Sequence, residues 1–240
     1  MSISKMYLDV IAGMEGFKED AKFLNDLMVL ARRMDAVKWT APADSIKWDN
    51  YVVRDGKKAI DQHIGVCFEQ AAALAHIWKN EIKSEIPVSA VYVRIIEKGK
   101  PWIGHADLII SKSPSEVYLV SPLRRKQRVR RYPSLDILMK QYLVNTILDI
   151  NNTKLYDTLG FAEHTPKLTE YTLKLKEQVK ETNIDDFDVK LTVYNPLDKS
   201  LYNKYTALEF GERILKKYGL YVPSKDLEKV KIEGVETIIE

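Results

Sequence analysis

The single cysteine of this chain, Cys67, lies in "IGVCFEQAAALAHIWKN" (Ile64 to Asn80), two residues after Gly65 and at the head of an apolar helical pattern. A thiol attacks a carbonyl carbon only as thiolate, and an ordinary cysteine, titrating near about 8.5, is mostly protonated at neutral pH. A helix N-terminus favours the thiolate through its unpaired amides and dipole, and a neighbouring imidazole favours it through charge. Gly65 lets the chain turn sharply into the helix and so predicts the first arrangement. The competing reading is an inert core residue, since free cysteine is among the most buried residue types.

The second arrangement needs a histidine, and the chain has four. His63 belongs to a loop before the helix, His76 lies two turns along it, and His164 falls in an irregular connection. His105 differs, because "GHADL" places it where a strand begins, directly after the turn "EKGKPWI". A strand packed beside the cysteine helix delivers this imidazole to the thiol.

The elements that must position the pair can be read from periodicity. Residues Phe17 to Val37 predict a helix with Ala21, Leu24, Leu27, Met28, Ala31 and Met34 on its apolar side. "TAPADSIKWDNYVVRDGKK" reads as mostly irregular, and a second helix runs from Cys67 to about Lys83 with Cys67, Ala71, Leu74, Ala75 and Trp78 inward. "VSAVYVRII", "WIGHADLIIS" and "EVYLVSP", separated by the turn signals "EKGKP" and "KSPS", predict an antiparallel meander. Helices are expected over "YPSLDILMKQYLVNTIL", "TPKLTEYTLKLKEQVKE" and "TALEFGERILKKYG", the last with a Thr206-x-x-Glu209 capping box. "DVKLTVYN" reads as a short strand and the tail "EKVKIEGVETIIE" as a strand or hairpin. The class is α+β. Residues 1–150 form the cysteine-bearing core with its N-terminal helix, and 151–240 a mixed extension of separate or shared domain, with a boundary near 150–165.

"GVCFEQAAALAHIW", "PVSAVYVRII" and "GHADLIISKSPSEVYLVSP", taken in order, resemble the transglutaminase-like superfamily of papain-type cysteine enzymes. That family places Gly-x-Cys at a helix start, then a strand opening with the catalytic His, then a strand ending in Asp-Pro. The resemblance covers about residues 46–122. It implies a Cys-bearing helix packed on an antiparallel sheet, Cys67 as nucleophile, His105 as the base that activates it, and Ser121 at the orienting third position. The chain departs from the family there, because Ser121 replaces an Asp and brings no negative charge to an imidazolium. Asp107, two residues from His105 on the same strand face, replaces the family's aromatic and is the alternative orienter. The resemblance implies acyl transfer on a protein or peptide amide, with the backbone N–H of Cys67 and a second donor holding the oxyanion. Trp39, Trp48 and Trp102 are candidates for that donor, and Trp48, Trp102 and Asp107 for the substrate cleft. Water as acceptor gives a peptidase or amidase, and an amine gives transglutamination.

Hydrophobic residues make up 45% of the chain and charged residues 30%, ordinary values for a globular protein. One cysteine allows no internal disulfide, no run reaches the length needed to span a bilayer, and the N-terminus does not read as a signal peptide. The expectation is a cytoplasmic protein without membrane contact, and the abundance of Lys, Ile, Asn and Tyr suggests an AT-rich bacterial or phage genome. The scattered His and lone Cys offer no metal spacing and there is no Gly-rich phosphate loop, so no cofactor is expected. Net charge is only +3, but "RRKQRVRR" concentrates Arg124, Arg125, Lys126, Arg128, Arg130 and Arg131. That run would suit an acidic partner or nucleic acid, or would pair with nearby carboxylates. A catalytically weakened binding or assembly module and a nucleic-acid-associated protein are therefore the rival functions.

Overall fold

The computed structural model describes residues 15–39, 50–97, 103–122, 128–142, 187–202, 205–219 and 236–239. Five helices are described: α1 (Glu15–Arg32), α2 (Gly56–Gln62), α3 (Cys67–His76), α4 (residues 135–142) and α5 (Ala207–Tyr218). Two short strands, β1 (Lys38–Trp39) and β2 (Ile64–Gly65), pair in parallel just ahead of α3. The main sheet comprises β3 (Val88–Glu97), β4 (Ile103–Ser113), β5 (Glu116–Val120), β6 (Val129–Tyr132), β7 (Phe187–Tyr194) and β8 (Glu236–Ile239). Its order is β7-β3-β4-β5-β6-β8 and every pairing is antiparallel. This is an α+β architecture, and no helix among the described residues is long and apolar enough to cross a membrane.

Both sheet faces are covered, which is why the strands read as β-branched and aromatic runs rather than alternating with polar residues. On one face α3 lies across β4, with Phe68, Ala71 and Ala72 against Ala90, Tyr92 and Ala106. Its far half, with Leu74, Ile77 and Trp78, meets Leu108, Ile110 and Val120. α5 closes the same face through Phe210 and Ile214. On the other face Leu138, Met139 and Tyr142 of α4 pack on Val93, Ile109 and Leu119. Of the ten residues of α3, nine are buried, so it is a core helix rather than an amphipathic one. Beyond His76 it widens into one π turn, Ile77–Glu81, and Trp78 anchors that end by donating from Nε1 to the Ile86 carbonyl at 3.0 Å.

Two sequence expectations are corrected by packing. α1 buries Phe23, Leu27, Leu30 and Met34, whereas Leu24 and Met28, expected inside, are exposed. Phe23 decides that rotation, because its ring meets those of Tyr118 and Trp78 at centroid separations of 4.8 and 6.1 Å. The end of the stretch read as irregular, Gly56–Lys58, opens α2, whose N-cap Asp55 accepts from Lys58 N at 3.0 Å. The three-strand meander is extended by β7 on one side and by β6 and then β8 on the other, so strands from residues 151–240 belong to the same sheet, a placement the sequence left open. The expected helix at 165–181 and the boundary near 150–165 lie outside the described residues. The Thr206–Glu209 capping box forms as expected: Glu209 N donates to Thr206 Oγ1 at 3.3 Å, and Thr206 N to Glu209 Oε2 at 3.0 Å.

α2 meets α3 so closely that a Cβ on Gly56 would stand 2.2 Å from the Ala72 carbonyl oxygen. Backbone cannot rotate aside as a flexible side chain can, so Gly56→Ala must force the two helices apart. Such overpacking costs about 1–3 kcal/mol or more. The urea midpoint of Gly56→Ala is expected to fall accordingly, and a midpoint equal to wild type would show that the contact is not tight.

Candidate active site

Cys67 is the first residue of α3, and its preceding N-cap, Val66, is extended (φ −86°, ψ 174°). The apolar Val66 side chain has no oxygen to serve the first-turn amides. The cap comes from the opposite direction: Glu69 Oε2 accepts from Val66 N at 2.9 Å. Glu69 is fully buried, and Arg54 wraps it, donating from its backbone N and Nε to Oε1 at 2.8 Å and from Nη2 to Oε2 at 2.9 Å. Tyr51 adds its hydroxyl to Oε2. Gly65 is required for this, because a Cβ there would meet Glu69 Oε2 at 2.7 Å. Gln70 is structural as well, donating from Nε2 to the Val37 carbonyl at 3.0 Å. The helix entry is thus fixed from three segments at once.

Cys67 is 8% exposed and belongs to the same buried cluster as Phe68, Tyr92, Ala106 and Tyr194. It hydrogen-bonds the imidazole of His105 on β4. His105 is partnered on β3 by Val93, but among the described residues the β4–β5 ladder makes no pair beyond Leu108↔Val120. Among the described residues His105 therefore has a strand neighbour on the β3 side only. Its side chain is 25% exposed, and its ring lies parallel to that of buried Tyr142 on α4, centroids 6.5 Å apart.

The third group is Asp107. Its Oδ1 lies 3.3 Å from His105 Nε2, from two residues along the same strand. The resemblance puts Ser121 at the third position, with Asp107 as the alternative orienter. Ser121 is buried and follows directly after β5, with its backbone N donating to the Arg128 carbonyl at 2.9 Å. Among the described residues its hydroxyl has no hydrogen-bond partner. Asp107 is 1% exposed. Burial opposes a charged His105, yet the Asp107 carboxylate and the Cys67 sulfur outweigh it and push the imidazole up to about 10.

Burial holds the hydroxyls of Tyr92 and Tyr194 protonated well above their ordinary range, so beside the thiol they are neutral groups. His63 caps α2 in the left-handed region (φ 58°), and His76 stays on the helix with Asn80, as expected of bystanders. Trp39 pairs with Gly65 in the small sheet, two residues ahead of the cysteine, and its side chain is exposed. Trp48, Trp102, His164, Arg124, Arg125 and Lys126 lie outside the described residues. Of the basic run that is described, Arg128 meets Asp35, Arg131 meets Glu116, and Arg130 is buried with its guanidinium over the Tyr132 ring. Tyr142, Tyr51 and Arg54 were not singled out from sequence; each reaches the site across long chain separations that leave no local pattern.

The raised His105 makes a pH test. A ring that is protonated more readily in the folded than the unfolded chain stabilises the fold fully below about pH 6.5, the unfolded value. That contribution erodes as pH rises and is gone once pH has passed about 10. The gap in urea midpoint between wild type and His105→Gln is therefore expected to narrow from pH 6 to pH 10, and a constant gap would contradict it.

Compared with protein-family models, curated proteins and solved structures, the chain matches none.

Proposed function

We propose that this chain is a cysteine-dependent acyl-transfer enzyme of papain-like, transglutaminase-like architecture, acting on a protein or peptide amide. The observation that carries the reading is the Cys67–His105–Asp107 series: a thiol at the first residue of a helix, hydrogen-bonded to an imidazole whose other side is held by a buried carboxylate. With Nε2 turned to Asp107, Nδ1 is the nitrogen left for the thiol. An imidazolium in that position favours thiolate, and a ring that keeps its proton to about pH 10 is the acid a leaving amine needs.

The steps follow from those roles. In that ion pair the thiol proton already resides on His105; the Cys67 sulfur adds to the amide carbon, and the carbonyl oxygen takes the electron pair. As the first helical residue, Cys67 carries an N–H without an intrahelical acceptor, well placed to receive that oxyanion. The C–N bond then breaks, His105 returns the proton to the departing amine, and a thioester remains. Water or an incoming amine attacks the thioester, giving up a proton to His105, and the thiol is restored. Asp107 takes the role that the family resemblance assigned to Ser121, and supplies the negative charge that a serine lacks.

One observation favours a second reading, a non-catalytic binding or assembly module of the same fold: the thiol is almost covered. Intact-mass detection of covalent labelling by an electrophilic peptide-amide probe separates the two. Cys67→Ala is expected to abolish labelling, His105→Ala to slow it by about a hundredfold or more, and Asp107→Asn by about tenfold to a hundredfold. Ser121→Ala is expected to change the rate less than about threefold, within the spread of an uninvolved neighbour. An unreactive wild-type thiol supports the binding module. Slowing by Ser121→Ala but not by Asp107→Asn returns the third role to Ser121.

A further inference from the structure

We infer that Arg54 and Glu69 form a charge-balanced pair that sets the reactivity of Cys67 from behind the helix, with Glu69 opposing a thiolate and Arg54 cancelling that opposition. The inference rests on the proposed nucleophilic role of Cys67 and adds positioning residues that touch no substrate.

Glu69 is an acidic residue two positions after the cysteine on a fully buried first turn, and its carboxylate bonds the amide of Val66, the residue immediately before Cys67. A helix N-terminus attracts an anion, but the same amides and the same field are what a Cys67 thiolate would use. One carboxylate already occupies that end. Left bare in a water-poor environment, its charge would be felt strongly by a second anion one peptide away. Arg54 removes most of that penalty. It contributes three donors to the carboxylate, Tyr51 a fourth and Val66 a fifth. Its guanidinium, tied also to the Ile64 carbonyl and the Gln62 side chain, is only partly exposed, so the pair is little screened by solvent. The remaining titratable groups about the thiol come from other elements: His105 with Asp107 on β4, Tyr92 on β3 and Tyr194 on β7. Of these the two tyrosines are neutral, and the His105–Asp107 pair acts from the sheet side. The net field from the helix side is thus the difference between two opposite charges, and either one can be removed alone.

This makes a prediction with a sign. The rate of Cys67 alkylation by iodoacetamide, followed against pH by intact mass, reports the thiolate fraction whether or not the chain turns over any substrate. Glu69→Gln keeps the amide contact and deletes the negative charge, so its pH midpoint is expected to fall by about half a unit or more. Arg54→Gln exposes the carboxylate to the thiol, and its midpoint is expected to rise by a similar amount. The Arg54→Gln/Glu69→Gln double variant lacks both charges and is expected to return within about 0.3 unit of wild type, a coupling that simple loosening of the helix would not produce. Circular dichroism checks each fold; should Arg54→Gln fail to fold, the ordering of Glu69→Gln below both wild type and the double variant decides the matter. Shifts of the same sign, or none in Glu69→Gln, overturn the inference. A wild-type thiol that alkylates like a free cysteine yet shows the opposite shifts would count against the enzyme and leave the charge balance standing.

Discussion

Glu69 carries its carboxylate into the core at the entry to α3, where stripping a charge of water costs several kcal/mol unless every lone pair finds a donor. Five donors converge on it, from Val66, Tyr51 and Arg54, and a side chain on Gly65 would collide with it. Val66 is the helix's own N-cap, and Tyr51 and Arg54 come from the segment ahead of α2. Because the group cannot be satisfied unless both are in place, the N-terminus of α3 can sit in one position only. Cys67 is the first residue of that turn, and its location is a consequence.

The sheet supplies the other half of the geometry. β4 runs through the middle of it, flanked by β3 and β5, until its first residues outrun β5. At that point a strand residue can interact sideways with a helix end, and His105 occupies it. The ring is held by Asp107 along the strand and by Tyr142 from α4. One strand residue thus meets helices from both sides, the thiol at the start of α3 and the Tyr142 ring on α4.

Several other charges among the described residues pair locally. Glu116 gathers Lys112, Arg131 and the Tyr118 hydroxyl, and Arg128 reaches Asp35. Exposed pairs of this kind contribute about 0–1 kcal/mol each and do more to orient side chains than to stabilise the fold. The pair that matters is the buried one, where removing a partner would leave an uncompensated charge.

The amino-acid sequence determined the local elements wherever chain neighbours decide them. Periodicity located α3 and the three-strand meander, and the Thr206–Glu209 box located α5, because helix caps and strand alternation depend on residues a few positions apart. It also drew attention to Cys67 and His105, since an N-terminal helical cysteine and a strand-leading histidine are local features. What it left open depended on contacts across the chain. The rotation of α1 turned on Phe23 meeting Tyr118 and Trp78, and the joining of β7 and β8 to the sheet turned on pairing with distant strands. The choice between Ser121 and Asp107 as the neighbour of the imidazole was likewise tertiary, because it depends on where β5 stops pairing with β4. The same holds for Glu69, which reads as a favourable first-turn acid until Arg54 and Tyr51 are seen to close over it. Sequence spacing fixes which side chains share an element, and only packing decides which buried charges must share a partner.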